Sequence, residues 1–212
     1  MKALVIGATG ATGKDLVGVL LRDPQYTGVV TFVRRSSGLS HPKLSEIITD
    51  FDHLENVADS IHGDVWFSCL GTTKSAAGSQ EKQWHIDYEI PAKFAEIARQ
   101  NGVTSAVVLS AYGADRTSKV FYSRMKGTLD DHIAALAFVQ CIILRPGFLL
   151  RKDTDRAAER ITAAALKFLN SLGLFRKFRP LPTSLLAEKL AKAPPVLGPG
   201  KHVIALDEIF GF

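Results

Sequence analysis

Residues 2–13, Lys2-Ala3-Leu4-Val5-Ile6-Gly7-Ala8-Thr9-Gly10-Ala11-Thr12-Gly13, decide the fold. A short apolar run breaks into glycines, and Leu16, Val17, Leu20 and Leu21 then recur at helical spacing until Asp23-Pro24 stops them. The pattern predicts a buried strand, a tight turn and a helix. Glycines spaced G-x-x-G-x-x-G let the backbone approach a pyrophosphate, which free N–H groups and the dipole of the following helix then stabilise. Gly7, Gly10 and Gly13, with Thr9, Ala11 and Thr12 between them, are candidate cofactor-binding residues. A merely structural glycine turn is the competing reading, and the position directly after the first strand favours a dinucleotide.

The alternation continues outward from this unit. Val29–Val33 reads as a second strand, Leu44–Thr49 as a weaker third, Val65–Leu70 as the fourth, Thr104–Leu109 as the fifth and Phe138–Leu144 as the sixth. Between them, Asp52 is placed to cap a helix through Leu54, Val57, Ala58 and Ile61. A longer helix runs from about Trp84 to Gln100, with Pro91 kinking it or lying in its first turn, and another spans Lys119–Leu136. Strands that are almost continuously apolar, alternating with helices, imply a parallel sheet covered on both faces. The expected fold class is α/β, a doubly wound sheet in a single domain, with residues 1–147 as its core and 148–212 as a substrate-side tail. Arg151–Leu172 reads as a helix within that tail, Leu185–Leu190 as a short helix and Val203–Leu206 as a last strand.

At 46% hydrophobic and 22% charged residues, with no biased tract, the chain is excluded from the disordered, collagen-like and coiled-coil classes. Its longest apolar run, Ile133–Leu144, is interrupted by Gln140 and falls short of the roughly 20 residues of a spanning helix. Only Ala3–Ile6 lie between Met1-Lys2 and the glycines, too few for a secretion signal, so a cytoplasmic location is expected. Cys69 and Cys141 form no metal-ligand or disulfide pattern and read as core residues, and the six histidines read as surface or cap residues. The net charge of +5 is spread along the chain and decides nothing. Phe175-Arg-Lys-Phe-Arg179 interleaves aromatics with cations, yet a loop pinned by its phenylalanines explains it better than nucleic-acid binding.

Three further sets carry chemistry. About 20 positions beyond the glycines, where an NAD site wants a carboxylate for the ribose, stands Arg34-Arg35. Paired guanidiniums suit a 2′-phosphate through bidentate hydrogen bonds, so NADP(H) is the preferred cofactor and NAD(H) the other admissible one. Two solvated arginines at a strand end are the bland alternative. Tyr122 is the one tyrosine with a lysine four residues on, Lys126, which shares its helix face and whose charge favours a phenolate. Ser110 ends the fifth strand, where its hydroxyl either hydrogen-bonds a substrate carbonyl or caps a turn before Gly113.

Gly7-x-x-Gly-x-x-Gly13, Cys69-Leu-Gly-Thr-Thr73, Ser110, Tyr122-x-x-x-Lys126 and Arg145-Pro-Gly147 together resemble the short-chain dehydrogenase/reductase superfamily in its atypical branch, close to the oxidoreductase-like Tat-interacting group and its bacterial relatives. The resemblance covers residues 1 to about 150. It implies Tyr122 as acid–base residue, Lys126 on the nicotinamide ribose and Ser110 orienting a carbonyl. It places Gly71, Thr72 and Thr73 beneath the nicotinamide half, counts Cys69 and Leu70 before them as cofactor-binding, and puts Asp50 and Phe51 beside the adenine and Pro146 and Gly147 at the carboxamide end. Ala111 and Asp87 depart from the family pattern, which keeps a second function in view: a cofactor-binding regulatory protein without turnover. A small-molecule substrate, no membrane, and a monomer or homodimer complete the expectations.

Overall fold

The computed structural model describes residues 1–150 and 179–211. The helix expected over Arg151–Leu172, and all of the basic-aromatic stretch but its final Arg179-Pro180, lie outside the described residues.

Strand β1 (Lys2–Ile6) is followed by α1 (Ala11–Arg22), β2 (Gly28–Val33) and β3 (Leu44–Ile48). Next come β4 (Val65–Ser68), the short helices α2 (Lys74–Ala77) and α3 (Gln80–Trp84), α4 (Ile90–Gln100), β5 (Ser105–Leu109), α5 (Phe121–Ala135) and β6 (Gln140–Arg145). Strands β7 (Leu149–Leu150) and β8 (Leu181–Pro182) then form a small parallel pair, and α6 (Thr183–Val196), β9 (Gly200–Ala205) and α7 (Glu208–Gly211) close the described chain. The main sheet has seven strands in the order β3-β2-β1-β4-β5-β6-β9, every neighbour parallel. That order reverses between β1 and β4, the switch point at which doubly wound Rossmann sheets bind ligands. All carboxyl ends face one edge. The expected fold class therefore stands.

Ala3 to Ile6 are wholly buried because both faces of the sheet are covered. One face meets α1 and α6, where Leu16, Val17 and Leu20 pack with Leu186, Leu190 and Ala191. The other meets α4 and α5, where the Trp66 and Phe94 rings stack at 5.7 Å and Ile133 and Phe138 close the layer. Two polar links tie α6 to the start of the chain: Tyr26 Oη donates to Ala191 O at 2.6 Å, and Thr183 Oγ1 donates to Asp15 at 2.7 Å. Burial pushes the Tyr26 phenol up, so this donor keeps its proton. Residues 183–205 thus supply both a covering helix and the seventh strand, longer than the short helix and strand expected there.

Other local expectations need correction. Asp52 caps no helix: residues Leu54–Ser60 form a 3-10 turn whose cap position, His53, makes no capping hydrogen bond and pairs instead with Glu55, while Asp52 meets His85 Nε2 at 2.7 Å. The helix expected from Trp84 is three segments. Pro91 has no N–H to return to the carbonyl of Asp87, and the ladder widens just before it into a π-helical segment, His85–Glu89. Strand β6 starts later than expected because Ala137, at φ 53°, ends α5 in a left-handed turn. Gly127 sits inside α5 because the Asp115-Arg116 backbone crosses it; a Cβ there would meet Arg116 N and Asp115 C at 2.3 Å.

Candidate functional site

The glycine turn closes on itself. Gly7 takes φ +76°, and a Cβ on it would stand 2.4 Å from the carbonyl carbon of Cys69. Gly13 is tighter: its Cβ would lie 2.0 Å from Gly7 O. Gly10 N donates to Gly7 O at 3.1 Å, and the first bond of α1 runs from Lys14 N to Gly10 O. The amides of Ala11, Thr12 and Gly13 precede that bond, so they form the donor end of α1, which has no side-chain cap.

This turn borders a cavity of about 710 Å³ at the carboxyl edge of the sheet. Gly10, Ala11 and Thr12 line one side, Cys69 to Lys74 the floor after β4, and Ser110, Tyr122 and Lys126 the other side. Cys69 and Leu70 leave the β4 ladder to do this, although they read as the end of a strand. Burial pushes the Cys69 thiol up to about 12, so it does not supply a thiolate here. Tyr122, on the first turn of α5, is 41% exposed, whereas Lys126 one turn on is buried. Arg34-Arg35 follow β2 and Asp50-Phe51 follow β3 at the same edge, outside the cavity lining. Both arginines are exposed; Asp50 accepts from Asp52 N at 3.0 Å, and Phe51 packs against the second core. Pro146 O accepts from Tyr112 N at 2.9 Å, and Gly147 faces Leu206.

Two buried carboxylates stand behind the cavity: Asp87, which the sequence marked only as a departure from the family pattern, and Asp130, which sequence reasoning missed. Asp87 Oδ1 accepts from Thr72 N at 2.7 Å, while its buried Oδ2 has no hydrogen-bond partner among the described residues and stands 4.0 Å from Lys126 Nζ. The π-helical segment carries this side chain. Burial raises its carboxyl to about 6, against the opposing pull of Lys126 and the Thr72 amide. Asp130 lies deeper, where its Oδ2 accepts from Ser110 Oγ at 2.9 Å and from Arg145 Nε and Nη2 at 2.9 and 2.8 Å. Burial holds its carboxyl above the ordinary range. Asp130 stands four residues beyond Lys126, the one signal in the sequence that puts it on the same helix face. The Ser110 hydroxyl hydrogen thus points at Asp130, not toward a substrate carbonyl as expected.

The Asp87 carboxyl has a pH signature. Its pKa is higher in the folded chain than the reference value of 3.8, so the unfolded chain loses its proton first as pH rises. Stability from this group is full below pH 4 and declines through the window up to about 6. The wild-type chain is expected to lose stability relative to Asp87→Asn by about 2–3 kcal/mol across that window. Urea unfolding at the two ends of the window measures it, and parallel pH profiles would remove Asp87 as the source.

These residues fit a dinucleotide: the turn closes tightly because its glycines lack Cβ atoms, and it leaves the uncapped amide end of a helix bordering the cavity. The family model for NAD(P)H-binding proteins matches residues 7–170. The chain is 34% identical over 177 residues to "Protein fmp52, mitochondrial" of Emericella nidulans, covering 80% of this chain and 75% of that one. Its fold matches a short chain dehydrogenase family protein from Francisella tularensis with a TM-score of 0.67, 19% identity and 98% of both chains covered. It also matches UDP-glucose 4-epimerase from Thermotoga maritima with a TM-score of 0.71, 16% identity, and 97% of this chain and 76% of that one covered. The expected cytoplasmic location is overturned, because the curated relatives that match are named as mitochondrial proteins. With its glycine turn, switch-point cavity and these matches, the chain belongs to the NAD(P)H-binding family.

Proposed function

We propose that this chain is an NADP(H)-dependent oxidoreductase that moves hydride to or from a small carbonyl or hydroxyl compound, with Tyr122 as its acid–base residue. The observation that carries the reading is the single cavity shared by Gly10–Thr12, Gly71–Thr73, Ser110, Tyr122 and Lys126. The turn and the α1 amides hold the diphosphate, Arg34 and Arg35 take the 2′-phosphate, and Asp50 and Phe51 flank the adenine. Lys126 holds the nicotinamide ribose, and Pro146 and Gly147 meet the carboxamide end. The bound cofactor supplies the hydride. Tyr122 Oη exchanges the proton with the substrate oxygen, and Lys126 places a positive charge behind that phenol. Ser110, with its hydrogen given to Asp130, offers the cavity an oxygen lone pair. It therefore accepts from the phenol or from a substrate hydroxyl. A mitochondrial location, as its relatives' names carry, and action as a monomer or homodimer on a small molecule complete the reading.

Tyr122→Phe is expected to keep NADPH affinity while turnover falls by about a hundredfold or more, the range of a positioned acid–base group. NADPH consumption across a panel of aldehydes, ketones and enones reads it, and unchanged turnover would remove Tyr122 from the mechanism. The commitment of Ser110 to Asp130, together with Ala111, favours a second reading: a regulatory protein that binds the cofactor without turnover. NADPH binding without consumption of any carbonyl, alongside a partner whose affinity depends on NADPH, would select it.

A further inference from the structure

The loop directly after Arg34-Arg35 already holds an anion. Ser36 Oγ donates to Glu46 Oε2 at 2.8 Å, and Ser37 N donates to both Glu46 oxygens at 3.2 Å. Two further bonds shape this loop: Gly38 N donates to Ser36 Oγ at 3.2 Å, and Leu39 N donates to Ser37 Oγ at 3.1 Å. Hydrogen bonds from Ser37, and then from Ser36, hold the Glu46 carboxyl below its usual range. Glu46 reaches the loop from the middle of β3, where it pairs with Thr31 of β2. Among the described residues, neither Arg34 nor Arg35 takes part in an ion pair. The carboxylate is thus bound by neutral donors, while the two guanidiniums that immediately precede those donors in the chain take part in no ion pair among the described residues.

A phosphate monoester is recognised by the same donors: guanidinium forks, a hydroxyl and a backbone N–H. We propose that Glu46 sets how strongly the chain prefers a 2′-phosphate over a 2′-hydroxyl, by occupying the Ser36 and Ser37 donors that the phosphate would otherwise take. A 2′-phosphorylated nucleotide binds by displacing the carboxylate, and it does so against the carboxylate's own negative charge. A nucleotide with a free 2′-hydroxyl engages neither donor and is indifferent to Glu46. Discrimination therefore comes from a repulsive element on β3 as well as from the attractive arginines. The inference rests on the NADP(H) reading, and it adds the residue that limits it.

The test uses adenosine 2′,5′-bisphosphate and adenosine 5′-monophosphate as probes, titrated calorimetrically into the wild-type chain, Glu46→Gln and Glu46→Gln/Ser36→Ala. Glu46→Gln is expected to tighten the bisphosphate about tenfold, or about 1.4 kcal/mol, and to leave the monophosphate unchanged. Adding Ser36→Ala is expected to give back part of that gain. A bisphosphate affinity in Glu46→Gln that is unchanged or weaker overturns the proposal, and so does equal tightening of both probes. If the wild-type chain binds both probes equally while Glu46→Gln acquires a preference for the bisphosphate, the role of Glu46 stands and the native NADP(H) preference falls. If the wild-type chain prefers the bisphosphate and Glu46→Gln leaves that preference untouched, the cofactor reading stands and Glu46 is only a loop clasp. Failure of every chain to bind either probe overturns both.

Discussion

Gly13→Ala is expected to abolish nucleotide binding and to destabilise the fold by more than about 4 kcal/mol, the range reserved for a defined steric mechanism. Its Cβ would stand 2.0 Å from Gly7 O and 2.8 Å from Gly7 C. Both obstacles are backbone, so no rotamer change relieves them. Gly7 cannot retreat, because its own Cα side is pressed against Cys69 and its φ of +76° belongs to the left-handed region. Opening the turn enough to admit a methyl group would move the α1 amides away from the diphosphate position. Gly10→Ala is the control. That Cβ meets Gly7 O at 3.3 Å and the backbone there is extended, so the expected loss is below about 1 kcal/mol. Urea midpoints and NADPH titrations of the two variants measure the contrast. Equal stabilities would show that the turn is not closed as described.

Asp130→Ala is expected to destabilise by about 3 kcal/mol, because it leaves Arg145 and Ser110 without the carboxylate both use. The carboxylate side is almost wholly buried, while the Arg145 side chain is 27% exposed, and water reaching the guanidinium keeps the loss at the low end of the range for buried pairs. Asp130→Asn retains the shape and is expected to lose about half as much. Pairing Asp130→Ala with Ser110→Ala should show a coupling of about 1 kcal/mol in urea unfolding, since the two side chains share one hydrogen bond. Strict additivity would mean that Ser110 and Asp130 do not interact in solution.

The strands and the glycine turn were legible because each is written locally. Lys2–Ile6, Val29–Val33 and Phe138–Leu144 are apolar nearly without interruption, and only a doubly covered parallel sheet wants that. The groups that gather at one cavity were legible for the same reason: Ser110 ends a strand, and Tyr122 and Lys126 share a helix face. What could not be read depends on residues far apart in the chain meeting in space. Asp130 looks like a solvated helix carboxylate until Arg145, from β6, reaches it. Asp52 looks like a helix cap, but His85 draws it away and the segment after it settles as a 3-10 turn. Glu46 carries no motif, since its partners lie on the preceding loop. The widened turn at His85–Glu89 follows from Pro91, yet the proline alone left a kink and a first-turn position equally open.

The pairing of α6 with α1 bears on how this molecule comes into being. The apolar face of the first helix, with Leu16, Val17 and Leu20, leaves the ribosome well before its partners Leu186, Leu190 and Ala191, which lie far along the sequence. Until then the nascent polypeptide displays an oily ridge beside an unfinished sheet that lacks its outermost strand. The glycine turn therefore gains firm support only once α6 has docked, and a chain cut before Thr183 would carry that ridge uncovered and prone to aggregate.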